Sequence, residues 1–213
     1  EIEHNGVRIT RVASTSYERS ALGRRAVNYL SYLGSALSHA LSGPPPDLVL
    51  CMTDPPIVGD LGVAVGRRFR APVLVISQDV FPEIATELHR LQNPAVVGVL
   101  GTLVGAYLRR ADRIVAIGET MRERLEAKGA PAERLRVIPN WVDTRAITPQ
   151  PRDNPWAERH GLASRFVVMH SGNVGHAQDL DSLIRAATFL RDLETLAIVI
   201  CGFGARHEEL TAL

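Results

Sequence analysis

Lysine is nearly missing from this sequence: of its 24 basic residues only Lys128 is a lysine, against 23 acidic ones and a formal net charge of +1 over 213 residues. Charges so evenly matched give a polyanion no surplus to bind, so nothing in the composition points to nucleic acid. The preference for arginine reads as coding bias rather than function. Cysteine is scarce as well, with Cys51 and Cys201 only. Each sits in an apolar run, and two thiols without framework spacing exclude a disulfide-built scaffold; both are expected to be buried, as in a reducing, cytosolic setting. No apolar run is long enough to cross a bilayer, which takes about 20 residues. The most hydrophobic stretch, residues 95–108, is expected to be a core helix. The opening Glu1–Ile2–Glu3–His4 has neither the basic nor the apolar region of a secretory leader, and without an initiator Met the sequence is expected to begin inside a longer protein.

Hydrophobic residues are plentiful, at 46%, enough for a substantial core in one large or two small domains. Strand-like runs fall at 7–13, 48–52, 73–77, 113–117, 135–138, 166–170 and 197–201, with helix-like segments at 20–41, 57–69, 95–110, 120–128, 180–190 and from about 205. Such alternation predicts parallel sheets with crossover helices. Gly43–Pro44–Pro45–Pro46 is a firm break, and Gly129 a helix stop. Prolines at 139, 149, 151 and 155, without sustained periodicity, mark an interdomain connection. The expected division is a Rossmann-like domain over 1–143, a linker over 144–155, and the beginning of a second domain over 156–213, too few residues to stand well alone. No repeats at a solenoid period are present.

The run 166–175 ends in Gly172–Asn173–Val174–Gly175. A glycine turn after a buried strand lets backbone amides meet an anion, but any βα unit can use the same turn to reverse direction. Gly172, Gly175 and Ala177 match a dinucleotide fingerprint only in part, and the P-loop lysine is absent. A second turn, Gly202–Phe203–Gly204, follows the next strand; two glycine turns at adjacent strand ends are where an open parallel sheet binds its ligand. Asp179–Leu180–Asp181 at a helix start reads as capping rather than a metal site. His170 and His176 flank the first turn without a third ligand at suitable spacing, so no metal is expected. Asp79, just after strand 73–77, stands at a strand's C-terminal end, where functional loops and turn-capping aspartates both occur. Thr53–Asp54–Pro55–Pro56 reads as a turn. Arg24, Arg25, Arg67, Arg68 and Arg70 lie on helices and could face anionic lipid, though a solvated face is the ordinary meaning.

Taken in order, Ala111–Asp112–Arg113–Ile114–Val115–Ala116–Ile117–Gly118, Ile138–Pro139–Asn140–Trp141–Val142–Asp143, His170–Ser171–Gly172–Asn173–Val174–Gly175 and Cys201–Gly202–Phe203–Gly204 resemble family 4 glycosyltransferases. The resemblance spans essentially the whole chain. It implies a GT-B fold, with two Rossmann-like α/β domains across a cleft, the nucleotide-sugar donor on the C-terminal one and the acceptor mainly on the other. It also implies transfer with retention, no metal or cofactor, and a leaving phosphate that helps deprotonate the acceptor hydroxyl. Carried over residue by residue, Gly172, Asn173, Val174 and Gly175 approach the donor's phosphate and sugar, and Gly202 and Gly204 line the nucleotide pocket. Asp79 faces the acceptor as the catalytic-side residue, and Asn140 marks the crossing between domains. The donor expected is a UDP-linked sugar, the acceptor a glycan or a lipid-linked glycan, and the location cytoplasmic, with peripheral contact at the inner membrane surface.

Many relatives place an Arg and a Lys around the glycine turn, where this sequence has Asn173 and Gln178–Asp179. The Gly-Asn-x-Gly form resembles a branch that makes bacterial surface polysaccharides. The later glutamate pair and the opening glycine-rich loop of the family are not in the sequence, so a fragment truncated at both ends, inactive by itself, is expected. Two alternatives stand beside the transferase: a nucleotide-sugar epimerase of the same fold, and a non-catalytic nucleotide-binding module.

Overall fold

Four short apolar runs, each preceding or following a helix, assemble into one parallel sheet in the computed structural model, which describes residues 1–17, 22–89 and 91–213. The chain divides into two units, Glu1–Trp141 and Val142–Leu213. In the first, strands β3 (Val49–Cys51), β4 (Val73–Ser77), β5 (Arg113–Ala116) and β6 (Leu135–Val137) pair in that order, all parallel. Alternation along β4 buries Val73, Val75 and Ser77. Asp112 locks the start of the β4–β5 pair by accepting the Val73 amide through its carboxylate at 2.8 Å, while its own amide bonds the Val73 carbonyl.

Before the sheet come β1 (Ile2–His4), β2 (Val7–Ile9) and helix α1 (Leu22–Ser42). The expected strand over 7–13 is corrected here. Its first residues form β2 of an antiparallel hairpin with β1, outside the main sheet, because Asn5 (φ 50°) and Gly6 (φ 78°) close a two-residue turn of the kind Asn-Gly favours. The N-terminal end expected for the helix over 20–41, Ser20 and Ala21, lies outside the described residues, as does the side chain of Arg25.

Crossover helices α2 (Val58–Phe69), α4 (Pro94–Arg110) and α5 (Glu119–Ala127) join the strands, with the short α3 (Glu83–Glu87) before α4. Glycines 59, 62 and 66 recur on one face of α2, where a Cβ would meet the Tyr107 ring, Cys51 and Val73 respectively. The empty positions let α2 lie directly on β3, β4 and α4. The helix expected at 95–108 is α4, entered through Pro94 with Asn93 capping the amides of Ala95 and Val96 at 3.0 and 3.4 Å. Its C-terminal half carries Val104, Tyr107 and Leu108 into a core shared with Val75, Ala111, Ile114 and Leu135.

In the second unit, β7 (Phe166–Ser171) and β8 (Leu196–Cys201) form a two-stranded parallel sheet in unbroken register from Phe166↔Leu196 to Ser171↔Cys201. Helices α6 (Pro155–Arg159), α7 (Leu180–Thr188) and α8 (His207–Thr211) accompany it. The core is small: Val174, Leu180 and Leu210, with Leu183, Ile184 and Ile200 against it. Cys51 is buried as expected, but Cys201 is exposed, since this core does not extend over the end of β8. Among the described residues no helix is long and apolar enough to cross a membrane.

Candidate functional site

The carboxyl ends of β3, β4 and β6 bring together Thr53, Asp79 and Asn140. Thr53 is 2% exposed, and its hydroxyl oxygen accepts from two successive amides, Gln78 at 3.1 Å and Asp79 at 3.3 Å. From the strand side, the fully buried Ser77 hydroxyl donates to the Asp79 carbonyl at 3.1 Å. Asn140 and Gln78 exchange reciprocal amide bonds, both 3.2 Å, so the residue expected to mark the domain crossing is tied back to the loop beside Asp79. Burial raises the Asp79 carboxyl above its ordinary value, and the neighbouring Asp54 carboxylate adds to the rise. Beyond the loop, Glu83 pairs with Lys128 at 2.6 Å.

In the second unit the two glycine turns are stitched to each other. Gly172 donates its amide to the Cys201 carbonyl at 2.9 Å, Val174 to the Phe203 carbonyl at 2.9 Å, and Arg206 to the Val174 carbonyl at 3.0 Å. The Gly175 amide is held by Gln178 Oε1 at 3.1 Å. Of the four amides in the first turn, Asn173's is therefore the one not committed inside the protein, among the described residues. A Cβ on Gly202 would overlap the Gly172 carbonyl, and one on Gly204 the Val174 carbonyl, so the second turn is glycine because the first lies against it. Gly172 differs: its added Cβ would meet only the His170 ring, at 3.7 Å.

Around the turns, Arg206 bridges Asp181 at 2.8 Å and Glu209 at 2.7 Å, holding both carboxyls below their usual range. The capping expected of Asp179 is corrected: it adopts a left-handed conformation (φ 47°, ψ 43°), makes no side-chain cap, and accepts the Ser182 hydroxyl at 2.7 Å. His170 reaches the Asn173 carbonyl at 3.4 Å, and His176 is exposed. Among the described residues no group of three or more His, Cys, Asp or Glu gathers to hold a metal. A groove of about 430 Å³, lined by Arg152, Trp156, Leu162 and Phe166, lies at the start of β7, the end away from Gly172.

Residues 1–141 match the family described as Glycosyl transferase 4-like domain. The chain belongs to that family. WbjE of Pseudomonas aeruginosa, by name a probable glycosyltransferase, is 30% identical over 167 residues, which cover 78% of this chain and 39% of WbjE. WcaI of Escherichia coli (strain K12), named for colanic acid biosynthesis as a glycosyl transferase, is 31% identical over 106 residues, covering 48% of this chain and 26% of WcaI. A crystal structure of Anabaena Alr3699/HepE in complex with UDP and glucose aligns with a TM-score of 0.62 at 20% identity, over 85% of this chain and 45% of that one. Likeness at that identity is one of fold, and the fold is α/β of GT-B type. The chain spans less than half the length of each of these relatives.

Within this family 4 chain, the expected site residues fall into two clusters, Asp79 and Asn140 in the first unit and Gly172, Asn173, Val174, Gly175, Gly202 and Gly204 in the second. Sequence reasoning passed over Thr53 as part of a turn, noted Gln178 only as a departure from the relatives' pattern, and missed Gln78 and Arg206. Gln178 had a signal, a glutamine three residues after a small turn residue, the spacing at which a side chain reaches back to a helix start. Arg206 had one in Glu209, three residues on. Thr53 had none, because its partners are 25 and 26 residues away.

Proposed function

We propose that the full-length protein is a retaining glycosyltransferase that moves a sugar from a UDP-linked donor to a glycan or lipid-linked acceptor in bacterial surface-polysaccharide synthesis. One observation carries this reading: in the second unit, two glycine turns meet at the carboxyl ends of adjacent parallel strands, the ligand edge of an open α/β sheet. HepE's complexes with UDP and with UDP-glucose support a uridine diphosphate donor, and WcaI's name supports a polysaccharide product. The work is expected at the cytoplasmic face of the membrane, by peripheral contact.

In the reaction, the acceptor hydroxyl oxygen bonds to the anomeric carbon as the bond from that carbon to the diphosphate breaks. The hydroxyl proton leaves on the departing nucleoside diphosphate. The protein contributes position and stabilisation of the negative charge that develops on the leaving group. Gly172 gives the diphosphate room, the Asn173 amide donates to it, and Asp79 orients the acceptor hydroxyl.

The test is titration of the full-length protein with UDP-sugars by calorimetry, followed by NMR of the product's anomeric configuration. Donor binding and a retained anomer are expected. Inversion would overturn the mechanism, and conversion of the donor to its epimer without transfer would favour the epimerase. Absence of donor binding would overturn the reading altogether.

A further inference from the structure

Asp79 is held by its peptide, not by its side chain. A strand's last amides have no ladder partner, and leaving them buried and unpaired is costly, so something must accept them. The β3–β4 register pairs Cys51 with Val75, which brings Thr53 level with Ser77 two residues on. There the single Thr53 oxygen accepts both the Gln78 and the Asp79 amides, and the Ser77 hydroxyl donates to the Asp79 carbonyl. Two successive amides converge on one oxygen only where the chain turns sharply. The direction of the Asp79 Cα–Cβ bond follows from that turn.

We propose that Thr53 is a positioning residue for the transfer reaction: with Ser77, it fixes both polar groups of the Asp79 peptide and so aims the Asp79 carboxylate at the acceptor hydroxyl. The inference rests on Asp79 acting on the acceptor. Valine has nearly the shape of threonine but cannot accept the two amides, whereas serine can. A residue that merely stabilised the fold would lower the fraction of folded protein, and with it the apparent kcat at unchanged KM, but would leave kcat per donor-binding site, counted by calorimetric titration with UDP, as it was.

The experiment compares Thr53→Val, Thr53→Ser, Ser77→Ala and Asp79→Asn in the full-length protein, with steady-state kinetics against a UDP-sugar donor. For Thr53→Val the expectation is a kcat per donor-binding site lowered by up to about 100-fold, with donor KM unchanged, since misplacement by about 1 Å is enough for such a loss. Thr53→Ser should restore most of the rate, and Asp79→Asn should lower kcat at least as far as Thr53→Val. If Asp79→Asn is impaired while Thr53→Val is not, the positioning role is wrong and the role of Asp79 survives. Equal loss in Thr53→Val and Thr53→Ser also overturns it. If Asp79→Asn keeps full kcat, the acceptor-side role fails and the inference falls with it. Should Thr53→Val not fold, Ser77→Ala decides from the other side of the same peptide: a lowered kcat per donor-binding site supports positioning, and an unchanged one refutes it.

Discussion

Helix α2 sits on β3 at a depth set by one missing side chain, and changing that depth should have a measurable and reversible cost. A Cβ on Gly62 would run into Cys51 Sγ, while the next atoms, Cys51 Cβ and Val49 Cγ1, stand at 3.6 Å, an ordinary contact. Gly62→Ala thus clashes with a single atom. Cys51 is 6% exposed, so relief means lifting the helix from the strand, an overpacking cost of about 1–3 kcal/mol. Alanine's advantage over glycine inside a helix returns about 1 kcal/mol of this. Cys51→Ala alone leaves a cavity of roughly one atom and costs about 1–2 kcal/mol. In the double variant the new Cβ fills the space of the lost Sγ, so the two changes should compensate with a favourable coupling of about 1–3 kcal/mol. Urea unfolding followed on the methyl NMR signals of Val63 and Leu108 reports the first unit alone. Additivity within about 0.5 kcal/mol would refute the argument, because it would mean that Cys51 Sγ is not what Gly62 accommodates. The same packing seats β3, and with it Thr53 under the Asp79 loop.

Three further outcomes follow from the geometry. In a carbon-detected carboxyl titration, Asp79 should titrate above 3.8 and move down in Asp54→Asn without returning to 3.8, since burial is the larger cause; because the unfolded chain loses that proton first, ionisation of Asp79 works against folding as pH rises from about 4 through the raised native value. Asp181 and Glu209 have the opposite sign: their support is present above their ordinary values of 3.8 and 4.5 and is lost as pH falls through the lowered native ones, so Arg206→Met should flatten the acid limb of the second unit's stability. Gly204→Ala should part the stitched turns, breaking bonds at Val174 and costing about 2–4 kcal/mol, seen as roughly 30- to 700-fold faster exchange of the Val174 amide; Gly172→Ala should cost about 1–3 kcal/mol through its backbone angle alone and weaken donor binding.

The parallel strands and their crossover helices were legible because a strand covered on both faces reads as a nearly continuous apolar run, as at 73–76, where one face is buried and the other half-buried, and because helix-like segments separate such runs. The hairpin at the start was missed although Asn5–Gly6 announced it, since the apolar run after it was taken as evidence of a parallel strand. Exposure of Cys201 was not legible at all. An apolar run predicts burial only if a layer covers it, and the two-stranded sheet supplies too little. At the site, Asp79 and the glycines could be picked out as residue types at strand ends. What holds them could not. Thr53 and Asn140 act on the Asp79 loop through bonds 25 to 62 residues apart in sequence, and such separations leave no local pattern.

Glycine in the second unit has two causes that a motif merges. Gly202 and Gly204 are required by the protein itself, because the carbonyls of Gly172 and Val174 occupy the space where their side chains would stand, ligand or no ligand. Gly175 faces the far ends of Asn173 and Gln178, which can move aside. Gly172 has room for a Cβ, with the His170 ring at 3.7 Å, but its φ of 158° is one that side chains rarely adopt, so here the backbone rather than crowding asks for glycine. A side chain in that conformation would cost about 1–3 kcal/mol, whether or not a ligand is present. The adjoining Asn173 amide is the one donor of the turn left uncommitted. Space without a protein occupant beside a donor without a protein acceptor is the combination an incoming phosphate oxygen needs. What the turn offers a phosphate oxygen is therefore the open space beside Gly172 and the amide of Asn173, and the remaining glycines hold that pair in place.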